Sequence, residues 1–160
     1  MDAKLKAFLD LLAWSEGTST HPLTQNDGYD VIVTGVNGPS VFTDYSTHPF
    51  ANGGSVTVRE NPLLVSTAAG RYQLLSRYYN VYKAQLGLPD FSPSSQDAIA
   101  LQQIGERKAT ALIMAGEVEQ AITACSGTWA SLPGNSYGQG GHSMSALLAQ
   151  YQTFVNEPLP

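Results

Sequence analysis

The sequence predicts an α+β chain, with a small antiparallel β lobe, a larger helical lobe and a cleft between them. Three observations carry this. A helical periodicity runs from the start into Trp14-Ser15-Glu16-Gly17. Short β-rich runs separated by glycine and asparagine turns fill residues 28–60. Helical stretches bounded by glycine and proline then occupy most of residues 66–156. A chain of 160 residues suits one domain, with the β lobe at about 28–60 and the helical lobe built from 1–17 and 66–156.

In the first helix, residues 2–16, Leu5, Phe8, Leu9 and Leu12 recur at steps of three and four and form one apolar stripe. Glu16 falls on the same stripe, and Gly17 reads as the helix stop. Residues 17–28 are rich in Thr, Ser, His, Pro, Asn and Asp and read as loop. Residues 29–33 and 41–45 are expected as strands around a Gly-Val-Asn-Gly-Pro turn, with a short third strand at 56–58 after the Asn52-Gly53-Gly54 tip. A helix is expected from Arg71 to about Leu86, ended by Gly87 and Pro89. Ser92-Pro93 caps and opens another, running to about Arg107. Short helices near 109–115, 117–124 and 127–132, a glycine-rich loop over 134–141 and a last helix over 143–156 complete the chain.

Only 13% of residues are charged and 42% are apolar, which argues against disorder. The net charge of −5 leaves no basic face to track phosphates, so nucleic acid is not an expected partner. One cysteine, Cys125, excludes an internal disulfide framework. The N-terminal apolar run is broken by Asp10 and is followed by no small-residue cleavage site, so no secretion signal is expected. No stretch has the length of a membrane span, so no stable membrane insertion is expected.

The chemistry narrows by elimination. His21, His48 and His142 lie in separate loops without ligand spacing; they read as surface residues, and neither metal nor cofactor is expected. Cys125 reads as a small buried hydrophobe, Ser126 lacks a nucleophile elbow, and the glycine-rich loop lacks the lysine of a P-loop. Carboxylates remain. Glu16, held against the core at a helix C-terminus, has two reasons to stay protonated: burial and the partial negative charge of the helix end. Asp30 and Asp44 are candidate partners, since two carboxyls across a cleft suit glycoside cleavage; each also fits a turn or surface role. Tyr29, Tyr45, Trp129 and Tyr137 offer apolar faces with polar tips that suit sugar rings, and each also fits a core role.

Several blocks, in order, resemble the lambda-type endolysins, lysozymes of the lytic transglycosylase kind. They include Ala13-Trp14-Ser15-Glu16-Gly17-Thr18, Gly28-Tyr29-Asp30-Val31-Ile32-Val33, Phe42-Thr43-Asp44-Tyr45-Ser46-Thr47-His48-Pro49 and Ala69-Gly70-Arg71-Tyr72-Gln73-Leu74-Leu75. Residues 85–93, 95–104 and Trp129-Ala130-Ser131-Leu132-Pro133-Gly134 continue the match, which spans about residues 7–142. The resemblance implies a lysozyme-like fold and cleavage of the β-1,4 bond between N-acetylmuramic acid and N-acetylglucosamine in peptidoglycan, leaving a 1,6-anhydro end. It places the single catalytic acid on Glu16 and a cleft glutamine on Gln73. Mobile lips are implied around 50–60 and 134–142. The expected substrate-binding set is Tyr29, Asp30, Asp44, Tyr45, Arg71, Gln73, Trp129, Tyr137 and Gln139. The chain departs from the family pattern at 18–26, 35–40, 50–60 and in its last helix, which bears on lip contacts and subsite preference rather than on Glu16.

The implied partner is the peptidoglycan glycan strand, acted on by a monomer. The implied life history is accumulation in the host cytoplasm, then action in the periplasm once a separate holin permeabilises the membrane. Two alternatives stay open: a hydrolytic muramidase using Asp30 or Asp44 as second carboxylate, and a non-catalytic glycan-binding relative.

Overall fold

The computed structural model describes residues 1–134 and 141–157; Tyr137 and Gln139 fall outside them. Six helices and four strands form among the described residues. The chain divides into two compact units, residues 1–16 with 100–160, and residues 17–99.

The first unit is helical. Helix α1 (Ala3–Glu16) is buried all round from Ala7 to Leu9 and from Leu11 to Ala13, so it is a central helix rather than one with a single apolar stripe. It packs against α4 (Ala109–Ala115) and α6 (Met144–Asn156). Phe8 meets Tyr151 edge-on at 6.5 Å, and the Tyr151 hydroxyl donates to the Lys4 carbonyl at 3.3 Å. Gly116 (φ +84°) reverses the chain between α4 and α5 (Val118–Cys125), where Glu117 N–H donates to the Leu112 carbonyl at 2.8 Å. The helix expected at 127–132 is instead a run of turns, closed by Leu132 N–H to the Trp129 carbonyl at 3.0 Å. Ser143 caps α6 by accepting from Ala146 N–H.

The second unit holds two separate hairpins, not the single three-stranded sheet expected. Strands β1 (Val31–Gly35) and β2 (Gly38–Val41) pair antiparallel around a two-residue turn. Strands β3 (Val56–Glu60) and β4 (Leu63–Ser66) form the second pair. The β4 strand escapes the sequence pattern because Leu63, Leu64 and Val65 are all exposed, without the alternation that marks a half-buried strand. Residues 42–45 leave the sheet: Phe42 N–H donates to the Asp30 carbonyl, and Asp44 turns back onto Ser46 N–H. The hairpins touch where Val36 N–H donates to the Thr57 carbonyl at 2.9 Å. Gly35 makes that approach possible, since a Cβ there would lie 2.4 Å from the Thr57 oxygen.

The segment before α2 (Ser76–Leu86) is a tight reversal rather than the expected first helical turn. Ala69 and Leu74 exchange both backbone hydrogen bonds, at 3.1 and 2.9 Å. Gly70 (φ +81°) and Gln73 (φ +52°) take left-handed conformations inside the turn. Behind it lies a core of Leu74, Tyr79, Phe91 and Ile99. His48 is fully buried beside Tyr79 and Phe91, which corrects its expected surface position. Asp90 braces the entry to helix α3 (Pro93–Glu106), its Oδ1 accepting from Ser92 N–H and the Ser95 hydroxyl.

Candidate active site

In the first unit the chemistry centres on the last turn of α1. Gly17 takes φ +74°, which ends the helix with Glu16 at its C-terminus, half-buried. Burial raises the Glu16 pKa above its ordinary value, and a hydrogen bond from Ser131 partly opposes the rise. Ser131 Oγ donates to Glu16 Oε1 at 2.5 Å, and Ser15 Oγ donates to Ser131 Oγ at 3.0 Å. The same helix end carries Trp14, on which His142 stacks at 3.7 Å between ring centroids. His142 is therefore exposed, as expected, but engaged. Such a carboxyl, its neutral form favoured by burial and its Oε1 held by the Ser131 hydroxyl, can donate a proton and take one back.

The other unit gathers Tyr29, Arg71, Tyr72 and Asp97 into one network. Asp97 Oδ1 accepts from the Tyr29 hydroxyl at 2.8 Å and from the Tyr72 hydroxyl at 2.7 Å. Burial, reinforced by Asp97, pushes both phenols well above their ordinary range. The Arg71 guanidinium is buried; desolvation opposes its charge, but the hydrogen bond from Arg71 to Asp27, together with Tyr72, the Asp27 charge and Tyr29, outweighs it. Its Nη1 lies 2.6 Å from Asp27 Oδ2, and its Cζ lies 5.0 Å above the Tyr29 ring. Buried Gln96 ties the network to the turn, accepting from Arg71 N–H and donating to the Tyr29 and Phe91 carbonyls. Gln73 sits at the left-handed corner of that turn, its Nε2 donating to the Gly70 carbonyl at 3.0 Å. A non-glycine residue at positive φ is uncommon and belongs to the strained positions that cluster at functional sites.

The remaining sequence candidates have definite places. Asp30 is buried and accepts from the Thr24 hydroxyl and from Gln25 N–H, so both its oxygens hold the loop before β1. Asp44 is fully exposed, and the hydrogen bonds from Ser46 hold its carboxyl below the ordinary carboxylate value. Tyr45 is half-buried, packs on Phe42 at 5.1 Å and accepts from Asn26 Nδ2. Trp129 is 3% exposed, so its ring serves the core of the first unit. Cys125 is fully buried, and burial pushes its thiol up to about 12.

Sequence reading missed Ser131, Gln96 and Asp97 as working groups. Ser131 lies 115 residues from Glu16, and a serine in a turn carries no periodic signal. All three stand inside blocks that carry the family resemblance, which was the signal present.

Comparison with known proteins agrees with this layout. The endolysin family model matches residues 6–157. The endolysin of Escherichia phage P2 is 55% identical over 155 residues, covering 96% of this chain and 94% of the relative. The endolysin of Escherichia phage lambda is 56% identical over 148 residues, covering 92% and 88%. Among solved structures, bacteriophage lambda lysozyme complexed with a chitohexasaccharide superposes with a TM-score of 0.86 at 54% identity, covering 96% of this chain and 95% of that one. A second structure of lysozyme from bacteriophage lambda gives 0.83 at 52% identity, with 96% and 95% covered. By sequence and by fold, then, the chain belongs to the endolysin family and is built as a lambda-type lysozyme.

Proposed function

We propose that this endolysin lyses peptidoglycan as a lytic transglycosylase, cutting the β-1,4 bond between N-acetylmuramic acid and N-acetylglucosamine. The observation that carries the reading is Glu16, a half-buried carboxyl with a raised pKa held by one serine hydroxyl. Protonated Glu16 donates to the glycosidic oxygen as the C1–O bond breaks, and the leaving sugar departs as an alcohol. The carboxylate then takes the proton of the muramic C6 hydroxyl while O6 bonds to C1. One group serves as acid and then base, no water enters the product, and the 1,6-anhydro ring closes. Asp30 supports this reading because both its oxygens are engaged in its own loop, leaving it poorly suited to activate water. Gln73, with Tyr137 and Gln139, is assigned to hold the sugars. The chitohexasaccharide bound by the lambda lysozyme is a β-1,4-linked amino-sugar chain and supports a glycan substrate.

Mass spectrometry of digested glycan tests the reading, because the anhydro product is lighter than the hydrolytic one by one water. A reducing-end product would replace it with a hydrolytic muramidase. Wall binding without soluble fragments would replace it with a glycan-binding role. In this reading a monomer accumulates in the host cytoplasm and reaches the periplasm when a holin opens the membrane. Cells expressing it without a holin should stay intact until the inner membrane is permeabilised, and spontaneous lysis would overturn that part.

A further inference from the structure

Ser131 is fixed from several sides. Its hydroxyl donates to Glu16 Oε1 at 2.5 Å and accepts from Ser15 Oγ at 3.0 Å, so two hydroxyl protons point in series toward the carboxyl. Ser15, the far end of the relay, is 9% exposed. The turn carrying Ser131 is anchored by buried Trp129 and Leu132. The backbone of Gly141 lies so close that a Cβ there would come 2.4 Å from the Ser131 carbonyl oxygen. Among the described residues, Oε1 is the Glu16 oxygen that is hydrogen-bonded, which leaves Oε2 for other work.

We propose that Ser131, oriented by Ser15, is a positioning residue for the cleavage reaction: it holds Glu16 through Oε1 and leaves Oε2 to exchange the proton with the sugar. The proposal rests on Glu16 being the acid. A group used first as acid and then as base must be neither too weak an acid nor too weak a base. A hydrogen bond donated to a carboxylate stabilises its charged form and moderates what burial does. Among the described residues no charged side chain adds to these two influences. Among the described residues, the titratable side chain seen at this end of α1 is His142, stacked on Trp14. Lys4, Lys6 and Asp10 lie at least six residues earlier on the helix, roughly 9 Å along its axis. The elements packed against α1 carry no charged side chain in α4 or α6.

The test compares wild type with Ser131→Ala, Ser131→Thr and Ser15→Ala, measuring kcat and KM on purified peptidoglycan across pH, and following the Glu16 carboxyl by carbon-13 NMR. The Glu16 signal is the one that disappears in Glu16→Gln. Ser131→Ala is expected to lower kcat about 10- to 100-fold, as loss of alignment does, with KM within about twofold. It also moves the alkaline limb of the rate profile and the Glu16 titration to higher pH. Ser131→Thr restores both, and Ser15→Ala shifts both less. An unchanged Glu16 titration in Ser131→Ala overturns the proposal whatever the rates do. An active Glu16→Gln overturns the acid assignment itself, and the titration still reports separately on the Ser131 contact.

Discussion

The end of α1 and the network around Asp97 use polar side chains in opposite ways. Around Asp97, two phenols converge on one carboxylate oxygen, and a buried guanidinium is paired with Asp27 and stacked on Tyr29. Such satisfaction fixes backbone and leaves little to react. At Glu16, burial disfavours the charged form, while one hydroxyl supports one oxygen. Among the described residues, that carboxyl is held by Ser131 and by no cation. On the proposed reading, the contrast teaches that reactivity goes with a buried titratable group that lacks an opposite charge among the described residues, not with the densest polar cluster.

Glu16→Gln breaks the comparison most directly. It should cost roughly 10²–10⁴-fold or more in cleavage rate, the usual scale of acid–base catalysis, read by release of soluble fragments. Near-normal activity would remove the distinction between the two regions. The same variant should be more stable at neutral pH. Because the folded-state pKa of Glu16 is raised, its stabilising contribution is complete below the ordinary 4.5 and is lost as pH rises through the folded value. Thermal melts of the variant and wild type should therefore converge in acid and separate toward neutrality.

Asp97→Ala attacks the other side. It removes the carboxylate oxygen that the Tyr29 and Tyr72 hydroxyls both donate to and should cost about 2–4 kcal/mol in urea unfolding, at about 1–2 kcal/mol per lost hydrogen bond. A loss below 0.5 kcal/mol, roughly the scale of a neutral surface change, would show that the network is ornamental. Gly35→Ala should cost about 2 kcal/mol, because its methyl would meet the Thr57 carbonyl. That loss should shift the unfolding midpoint while leaving the Glu16 titration unmoved.

The smallest effect concerns His48. Burial lowers its pKa, while its hydrogen bond to Leu74 partly opposes this. Its Nε2–H donates to the Leu74 carbonyl at 2.8 Å and its Nδ1 accepts from Phe50 N–H at 3.1 Å, an arrangement that only the neutral ring supports. As pH falls below the ordinary 6.5, the unfolded chain takes the proton first, so stability declines toward the folded-state value. His48→Gln should flatten stability between pH 7 and 5, and an unchanged slope would assign the acid sensitivity elsewhere.

Much of this was written locally in the chain. The helix ending at Gly17, the Gly87 cap of α2 and the place of Glu16 at the end of α1 follow from periodicity and glycine chemistry, which act over a few residues. The buried character of Cys125 was legible for the same reason. The sequence blocks also sufficed to point to the family. Other features depended on contacts between distant residues. No spacing rule announces that Ser131 reaches Glu16, that Gln96 pins Arg71, or that His48 is sealed under Phe91 and Tyr79. Nor could local pattern show that Tyr29 and Arg71 would be absorbed into a structural network, or that β4 would pair without an alternating face. The sequence by itself determined which carboxyl stands at the end of the first helix. Only the tertiary structure decided its company, because burial and hydrogen bonding are properties of neighbours that the chain brings together from far apart.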